Sequence, residues 1–279
     1  MATTLPAGVA AHDIDTPSGK IHYIEAGEGH PVLLLHGSGP GATGWSNFAP
    51  NIEYLAKSFR VIAPDMPGWG DSDTAIAGTR NHVQTALEIL DGLGIDRAAF
   101  VGNSMGGMTS TRFATTHPAR ISHLVTMGPS SGSPGMFGPA GLTEGLRILQ
   151  AAYRDPSIES MRKLVGIMTF DPAFATEELI EQRSHIASSR PDHLQNFIDG
   201  LGGDRSRLQL EPSKIAGIKA PALLIHGRDD RVVHFEHSLR LHSLISNSRL
   251  LLINRCGHWA QLEHAGEFNR MVTDFIAHN

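Results

Sequence analysis

The pentapeptide Gly102-Asn103-Ser104-Met105-Gly106 places one hydroxyl between two glycines, directly after an apolar run and before a helical pattern. A serine hydroxyl is a weak nucleophile. It becomes useful when the backbone lifts it clear and a base takes its proton. In a strand-to-helix elbow of the G-x-S-x-G kind, the residues two before and two after the serine approach each other, and side chains there would clash. Gly102 and Gly106 meet that need. The base and its orienting carboxylate are then expected in the chain order serine, acid, histidine. RCGHWAQLEH supplies His258 as the base. HGRDDRVV supplies Asp229 and Asp230 as candidate acids. The other plausible place for an acid, just after the run 123–128, reads GPSSGSPG and contains none.

Attack on a carbonyl creates an oxyanion, which needs preorganised amide donors. One donor is expected from Met105, at the positive end of the helix that follows the serine. The second is expected in HGSGPGATGW, a loop led by His36-Gly37 with Ser38 as the donor. This loop lacks the GxGxxG register and a Walker lysine, so it is not read as a phosphate cradle. Cys256, two residues before His258, is read as a small packed residue and not as a thiol nucleophile. Sixteen histidines raise the question of metal. There is no HExxH helix and no cysteine pair, and His234 and His237 in HFEHS read as a polar helix start, so no metal is expected.

These groups need elements that bring them together. Short apolar runs read as strands at 21–26, 31–36, 60–65, 98–102, 123–128, 222–227 and 249–254. Several are continuously apolar, as in strands covered on both faces. Helical patterns alternate with them, as at 82–94 and 105–117, which predicts an α/β fold with a mostly parallel central sheet flanked by helices. The serine, both aspartates and His258 all follow strands, at the carboxyl edge where such sheets bind ligands. The alternation breaks after PSSGSPGMFGPAG. Helical patterns at 142–155, 159–168, 175–189 and 192–201 follow without a strand between them. The expected organisation is a core of residues 1–130 and 214–279 with a helical cap inserted at 131–213.

The 279 residues carry 23 Lys and Arg against 28 Asp and Glu, a net charge of −5, with no basic run. Nucleic acid and anionic membrane surfaces are therefore not expected partners. No apolar run approaches the roughly 20 residues of a membrane span, and the N-terminal residues do not read as a signal peptide. A single cysteine allows no internal disulfide, so a cytoplasmic location is expected.

With these pieces in place, the chain resembles the meta-cleavage product hydrolases of the α/β-hydrolase superfamily. The resemblance runs over essentially the whole chain. It is carried by LLLHGSGPGATGWSNF, VGNSMGG, HGRDDRVV and CGHWAQLEHAGEFNRMVTDF. It implies a triad of Ser104, Asp230 and His258, which leaves Asp229 to cap the turn. It also implies substrate contacts from Gly39, Asn47, Asn103 and Trp259 and from an arginine in the cap. The implied reaction is hydrolysis of a carbon–carbon bond in 2-hydroxy-6-oxohexa-2,4-dienoates with an alkyl or aryl group on C6. The products are 2-hydroxypenta-2,4-dienoate and a carboxylic acid, and no cofactor takes part. Family habit and an apolar surplus on the cap helices imply a homo-oligomer, a dimer or larger.

The cap arginine is also legible in the residues themselves. In ATEELIEQRSHIASS, Arg183 has Leu179, Ile180, Ile186 and Ala187 at helical spacings of three and four, with no acid among them. A guanidinium on an apolar stripe needs a partner, and a substrate carboxylate held bidentately would serve. Met136, Phe137, Ile148, Met168 and Phe170 are expected to line the pocket for the C6 group. The rival readings are a carboxylesterase or lactonase with the same triad, and a ligand-binding receptor without turnover. Haloalkane dehalogenases and epoxide hydrolases carry aspartate where this chain has Ser104.

Overall fold

The computed structural model describes residues 5–75, 79–132, 135, 137, 141–201 and 210–279. Eight strands form one sheet: β1 (Val9–Thr16), β2 (Gly19–Ala26), β3 (His30–Leu35), β4 (Phe59–Pro64), β5 (Ala98–Asn103), β6 (Ile121–Met127), β7 (Ala222–Gly227) and β8 (Ser248–Ile253). Their order is β1-β2-β4-β3-β5-β6-β7-β8. The pairs β1/β2 and β2/β4 are antiparallel and the remaining pairs are parallel. Seven of the eight strands match apolar runs in the sequence. β1 does not, because VAAHDIDT lies exposed along an antiparallel edge and carries no buried stripe to give a period-two signal.

The helices around the sheet are α1 (Gly44–Leu55), α2 (His82–Gly92), α3 (Met105–Thr116), then α4 (Glu144–Arg154), α5 (Ile158–Met168), α6 (Glu177–Ser189) and α7 (Pro191–Asp199). They are followed by α8 (Pro212–Ala216), α9 (Glu236–Leu244), α10 (Ala260–Glu263) and α11 (Ala265–His278). Strand residues alternate between two cores. Leu33, Leu35, Phe100, Leu124 and Leu224 join α2, α3 and α9 on one face. Val32, Leu34, Val101, Val125 and Ile225 join α1 and α11 on the other. A strand buried on both sides has no solvent-facing side, which is why the centres of β3, β5 and β7 read as short continuous apolar runs.

A third apolar cluster lies within α4–α7, around Leu149, Tyr153, Met161, Leu164, Val165 and Ile180, and closes on Val232 and Trp259 of the sheet's loops. Three of these helices open on a side-chain cap, from Thr143, Ser157 and Thr176. Each such cap is worth about 1 kcal/mol. Chain order in the sheet reverses between β3 and β5. The loops after these two strands therefore diverge and leave a crevice at the carboxyl edge, the usual ligand position in open α/β sheets.

Candidate active site

Ser104 follows β5 with φ 52° and ψ −110°, a left-handed conformation that a side chain adopts only under constraint. Three bonds impose it: Ser104 N–H donates to Met127 O (2.7 Å), Met108 N–H to Ser104 O (2.9 Å), and Gly106 N–H to His36 O (3.1 Å). A Cβ on Gly102 would run into the backbone of Gly106, and one on Gly106 into Leu35. The glycines therefore serve the turn as the sequence indicates.

The loop after β8 carries His258. Arg255 turns the chain with φ 54°, and Asp229 accepts its amide (3.0 Å). Asp229 is thus a turn cap, as the sequence implies. The His258 amide donates to Met168 O at the end of α5 (2.7 Å), tying this loop to the overlying helices. His258 Nδ1 lies 2.7 Å from Asp230 Oδ2. The other oxygen, Oδ1, accepts the amides of Val232 (2.7 Å) and Val233 (3.0 Å). Burial pushes the Asp230 carboxyl up. The neighbouring His258 and the hydrogen bonds from His226 and His258 outweigh it, and the group is held well below the usual carboxylate range. Gly128, where the sequence offers no acid, faces this pair: a Cβ there would lie 2.9 Å from His258 Nδ1 and 3.1 Å from Asp230 Oδ2.

Met105 is the first residue of α3, so its amide has no partner within the helix. The Ser38 amide has no acceptor among the described residues. Its direction is fixed from both sides. His36 Nδ1–H donates to Gly37 O (2.7 Å), and because the peptide is planar and trans, the Ser38 N–H points away from that ring. His36 Nε2 accepts the Met66 amide (2.9 Å), so both ring nitrogens are committed, and burial pushes this histidine's pKa down. Tyr153 O–H donates to Ser38 O (2.6 Å) and accepts from Trp69 Nε1 (2.9 Å). Nothing in the sequence marks Tyr153 for this task.

One narrow pocket is lined by Gly37, Ser38, Gly39, Asn47, Asn103, Ser104, Leu149, Met168, Arg183, His258 and Trp259. Of the residues singled out in the sequence, Ser38, Gly39, Asn47, Asn103, Ser104, Arg183, His258 and Trp259 meet here. Asp230 reaches the cavity through His258, and Met105 adjoins it through Ser104. No hydrogen bond joins Ser104 Oγ to His258; both face the same space. Arg183 is 1% exposed. Its Nε and Nη2 have no hydrogen-bond partner among the described residues, its guanidinium lies 4.6 Å from the Trp259 ring centre, and burial pushes its pKa down to about 10. Asn103 does more than line the cavity. Its Nδ2 donates to Met127 O (3.3 Å) and His258 O (3.2 Å), and its Oδ1 accepts from Asn47 Nδ2 (3.3 Å).

The expected pocket for the C6 group needs correction. Met168 lines the cavity, but on α4 the lining residue is Leu149, one helical step from Ile148. Phe137 and Phe170 are 75% and 38% exposed and lie outside it. Phe137 approaches His234, and Phe170 lies under Arg255. Met136 lies outside the described residues. Cys256 is buried and its thiol pKa is pushed up by burial, which suits packing and not nucleophilic attack. His237 Nδ1 meets Ser131 Oγ (2.9 Å), and His234 Nδ1 lies 3.4 Å from Glu236 Oε1.

The pattern of the alpha/beta hydrolase family matches residues 32–271. A 2-hydroxy-6-oxononadienedioate/2-hydroxy-6-oxononatrienedioate hydrolase of Burkholderia vietnamiensis is 45% identical, covering 92% of this chain and 91% of the relative. The enzyme so named from Cupriavidus pinatubonensis is 42% identical, covering 96% and 94%. Among solved structures, a meta-cleavage product hydrolase of Pseudomonas fluorescens superposes with a TM-score of 0.86 at 35% identity, covering 95% of this chain and 97% of its own. The 2-hydroxy-6-oxo-6-phenylhexa-2,4-dienoate hydrolase of a Rhodococcus strain gives 0.83 at 30% identity, covering 96% and 99%. The chain belongs to the alpha/beta hydrolase family and, within it, to the meta-cleavage product hydrolases, enzymes that hydrolyse a carbon–carbon bond in the breakdown of aromatic rings.

Proposed function

We propose that this enzyme cleaves the C5–C6 bond of a 2-hydroxy-6-oxo-2,4-dienoate whose C6 substituent ends in a second carboxylate, as in the dienedioates for which its relatives are named. The observation that carries the substrate class is Arg183: a buried guanidinium over the Trp259 ring, with Nε and Nη2 lacking a partner among the described residues, in one pocket with Ser104 and His258. Burying a charge without a partner is costly, and a bound C1 carboxylate supplies that partner. Gly39, Asn47, Asn103 and Trp259 complete the cradle for the dienol end. Residues 131–213 act as the cap that closes over it. The functional unit is a homo-oligomer in the cytoplasm, and it needs no metal or cofactor.

The reaction runs in two stages. First the C2 hydroxyl gives up its proton and C5 gains one, with the His258 imidazole as the carrier, since a ring nitrogen can both accept and return a proton. The dienol becomes a ketone, and the carbon chain becomes an electron sink. Next His258 takes the Ser104 proton as Oγ bonds to C6, and the amides of Ser38 and Met105 hold the oxyanion. The C5–C6 bond then breaks, its electron pair passing into the dienolate, and a proton returns to give 2-hydroxypenta-2,4-dienoate. Water, deprotonated by His258, releases the acid from Ser104. Asp230 holds the imidazole and stabilises its charged form.

A panel of 6-oxo-dienoates with methyl, isopropyl, phenyl and carboxyethyl groups at C6, ranked by kcat/KM beside a p-nitrophenyl ester, tests this reading. The carboxyethyl compound should rank first and the ester last. An ester turned over as well as any dienoate would overturn the substrate class, and a phenyl compound ranking first would overturn the second carboxylate.

A further inference from the structure

His226, at the carboxyl end of β7, is wholly buried and has no part in the chemistry above. Its Nε2 lies 3.2 Å from Asp230 Oδ2 and 2.9 Å from Val233 O. A carbonyl only accepts, so Nε2 carries a hydrogen shared between these two oxygens. Its Nδ1 lies 2.7 Å from Ser238 Oγ on α9, and in the neutral ring it accepts that hydroxyl's hydrogen. Asp230 therefore receives four N–H groups, from Val232 and Val233 on Oδ1 and from His258 and His226 on Oδ2. That is about the full capacity of a carboxylate.

We infer that His226 is a second imidazole on the acid of the triad, a positioning residue that shares Asp230 Oδ2 with His258 and so limits the charge Asp230 lends to it. This rests on the roles proposed for Asp230 and His258. An imidazolium at His258 is stabilised by negative charge on Oδ2. A second N–H on the same oxygen draws off part of that charge and leaves His258 more ready to stand as the free base. The sign does not depend on the protonation of His226. A protonated ring donates from Nδ1 to Ser238 instead, and its added positive charge acts in the same direction. Among the described residues, the other titratable groups facing this cluster include His237, Glu236 and His234, on α9 and the loop before it, Cys256 in the loop after β8, and Arg183 of α6, which shares the cavity with His258. They are unchanged in the variants below, so a difference between variants reports on His226 alone.

The test is the pH dependence of kcat/KM for His226→Phe and His226→Gln. In the phenylalanine variant the acidic limb should move up by about half to one pH unit, the equivalent of one hydrogen bond, with KM little changed. Glutamine keeps an N–H donor and should return the limb toward its wild-type position. A phenylalanine limb that coincides with wild type, or a glutamine limb as displaced as the phenylalanine one, overturns the inference. Nitrogen-15 spectra of histidine-labelled wild-type protein need no variant to fold. They should show hydrogen on His226 Nε2; a neutral ring protonated at Nδ1 with Nε2 bare also overturns it. Asp230→Asn, measured alongside, separates the two layers. If it keeps near-wild-type turnover, the triad reading fails. If it is inactive while the phenylalanine limb stays put, only the role of His226 fails.

Discussion

Arg183 lies with its guanidinium 4.6 Å from the centre of the Trp259 ring, and no carboxylate among the described residues pairs with it. Its pKa, pushed from the usual 12.5 down to about 10 by burial, means that the fold disfavours the charged form it must hold. Because the folded value is the lower one, this cost is present at every pH below about 10 and is relieved only above it. Arg183→Met should therefore stabilise the free enzyme, by on the order of 1 kcal/mol, which is a rise in Tm of about 2–4 °C for a chain of this size. The same change should lower kcat/KM on dienoates by about 100-fold or more, since two charge-assisted hydrogen bonds to the substrate are lost. Thermal unfolding and steady-state rates check both halves. A lowered Tm with equal losses on acidic and neutral substrates would show that the arginine is structural.

Gly128 has φ 55° and leaves the space in which His258 and Asp230 meet. Gly128→Ala should push the His258 ring off its line to Ser104. A displacement near 1 Å costs about 100-fold when reacting groups must align. We expect kcat to fall by about that factor with KM nearly unchanged, because Arg183 and Trp259 are untouched. A KM effect without a kcat effect would mean that residue 128 shapes substrate binding instead.

Stability should decline with acid in two stages. His36 has its pKa lowered by burial, as do His30, His123, His193 and His237, whereas His22 alone among the shifted histidines is raised, mainly by its hydrogen bond to Asp65. A lowered histidine refuses in the folded state a proton that the unfolded chain accepts. Its penalty therefore begins as pH falls through about 6.5, where the unfolded side chain titrates. Asp230 has the opposite protonation logic: its depressed pKa gives stability that is complete above about 4 and is lost only below that. Urea midpoints measured across pH 8 to 3 should fall first between about 6.5 and 5, then again below about 4. A flat profile down to about 4 would contradict the histidine stage.

Much of this was legible in the sequence because chemistry and backbone geometry coincide at the same positions. Gly102 and Gly106 are required by a bend, Ser104 by the hydroxyl it presents, and the two needs share one short motif. The centres of β3, β4, β5 and β7 were visible because burial on both faces leaves short apolar stretches there, as in VLLL, VIA, AAFV and ALLI. Arg183 stood out as a charge on an apolar stripe with no acid three or four residues away. β1 was not legible, since an exposed edge strand carries no stripe. Choosing Leu149 over Ile148 requires the rotation of α4 about its axis, which its amphipathic pattern gives only to within a residue. Phe137 and Phe170 were drawn toward the cavity by their size, but each lies at the surface against a neighbouring side chain, His234 and Arg255. Tyr153 and His226 act through contacts 115 and 4 residues away in the chain, with Ser38 and Asp230. The first is invisible to any local pattern. The second could be read from a histidine four residues before the acid at a strand end.

The oxygen of Ser104 opens the C5–C6 bond, and stopped-flow spectroscopy of Ser104→Ala with a 2-hydroxy-6-oxo-2,4-dienoate puts this to the test. The variant should bind the dienoate and shift its absorbance as the ketone forms, yet release 2-hydroxypenta-2,4-dienoate at least about 1,000-fold more slowly than wild type. Product release within about ten-fold of the wild-type rate would contradict it.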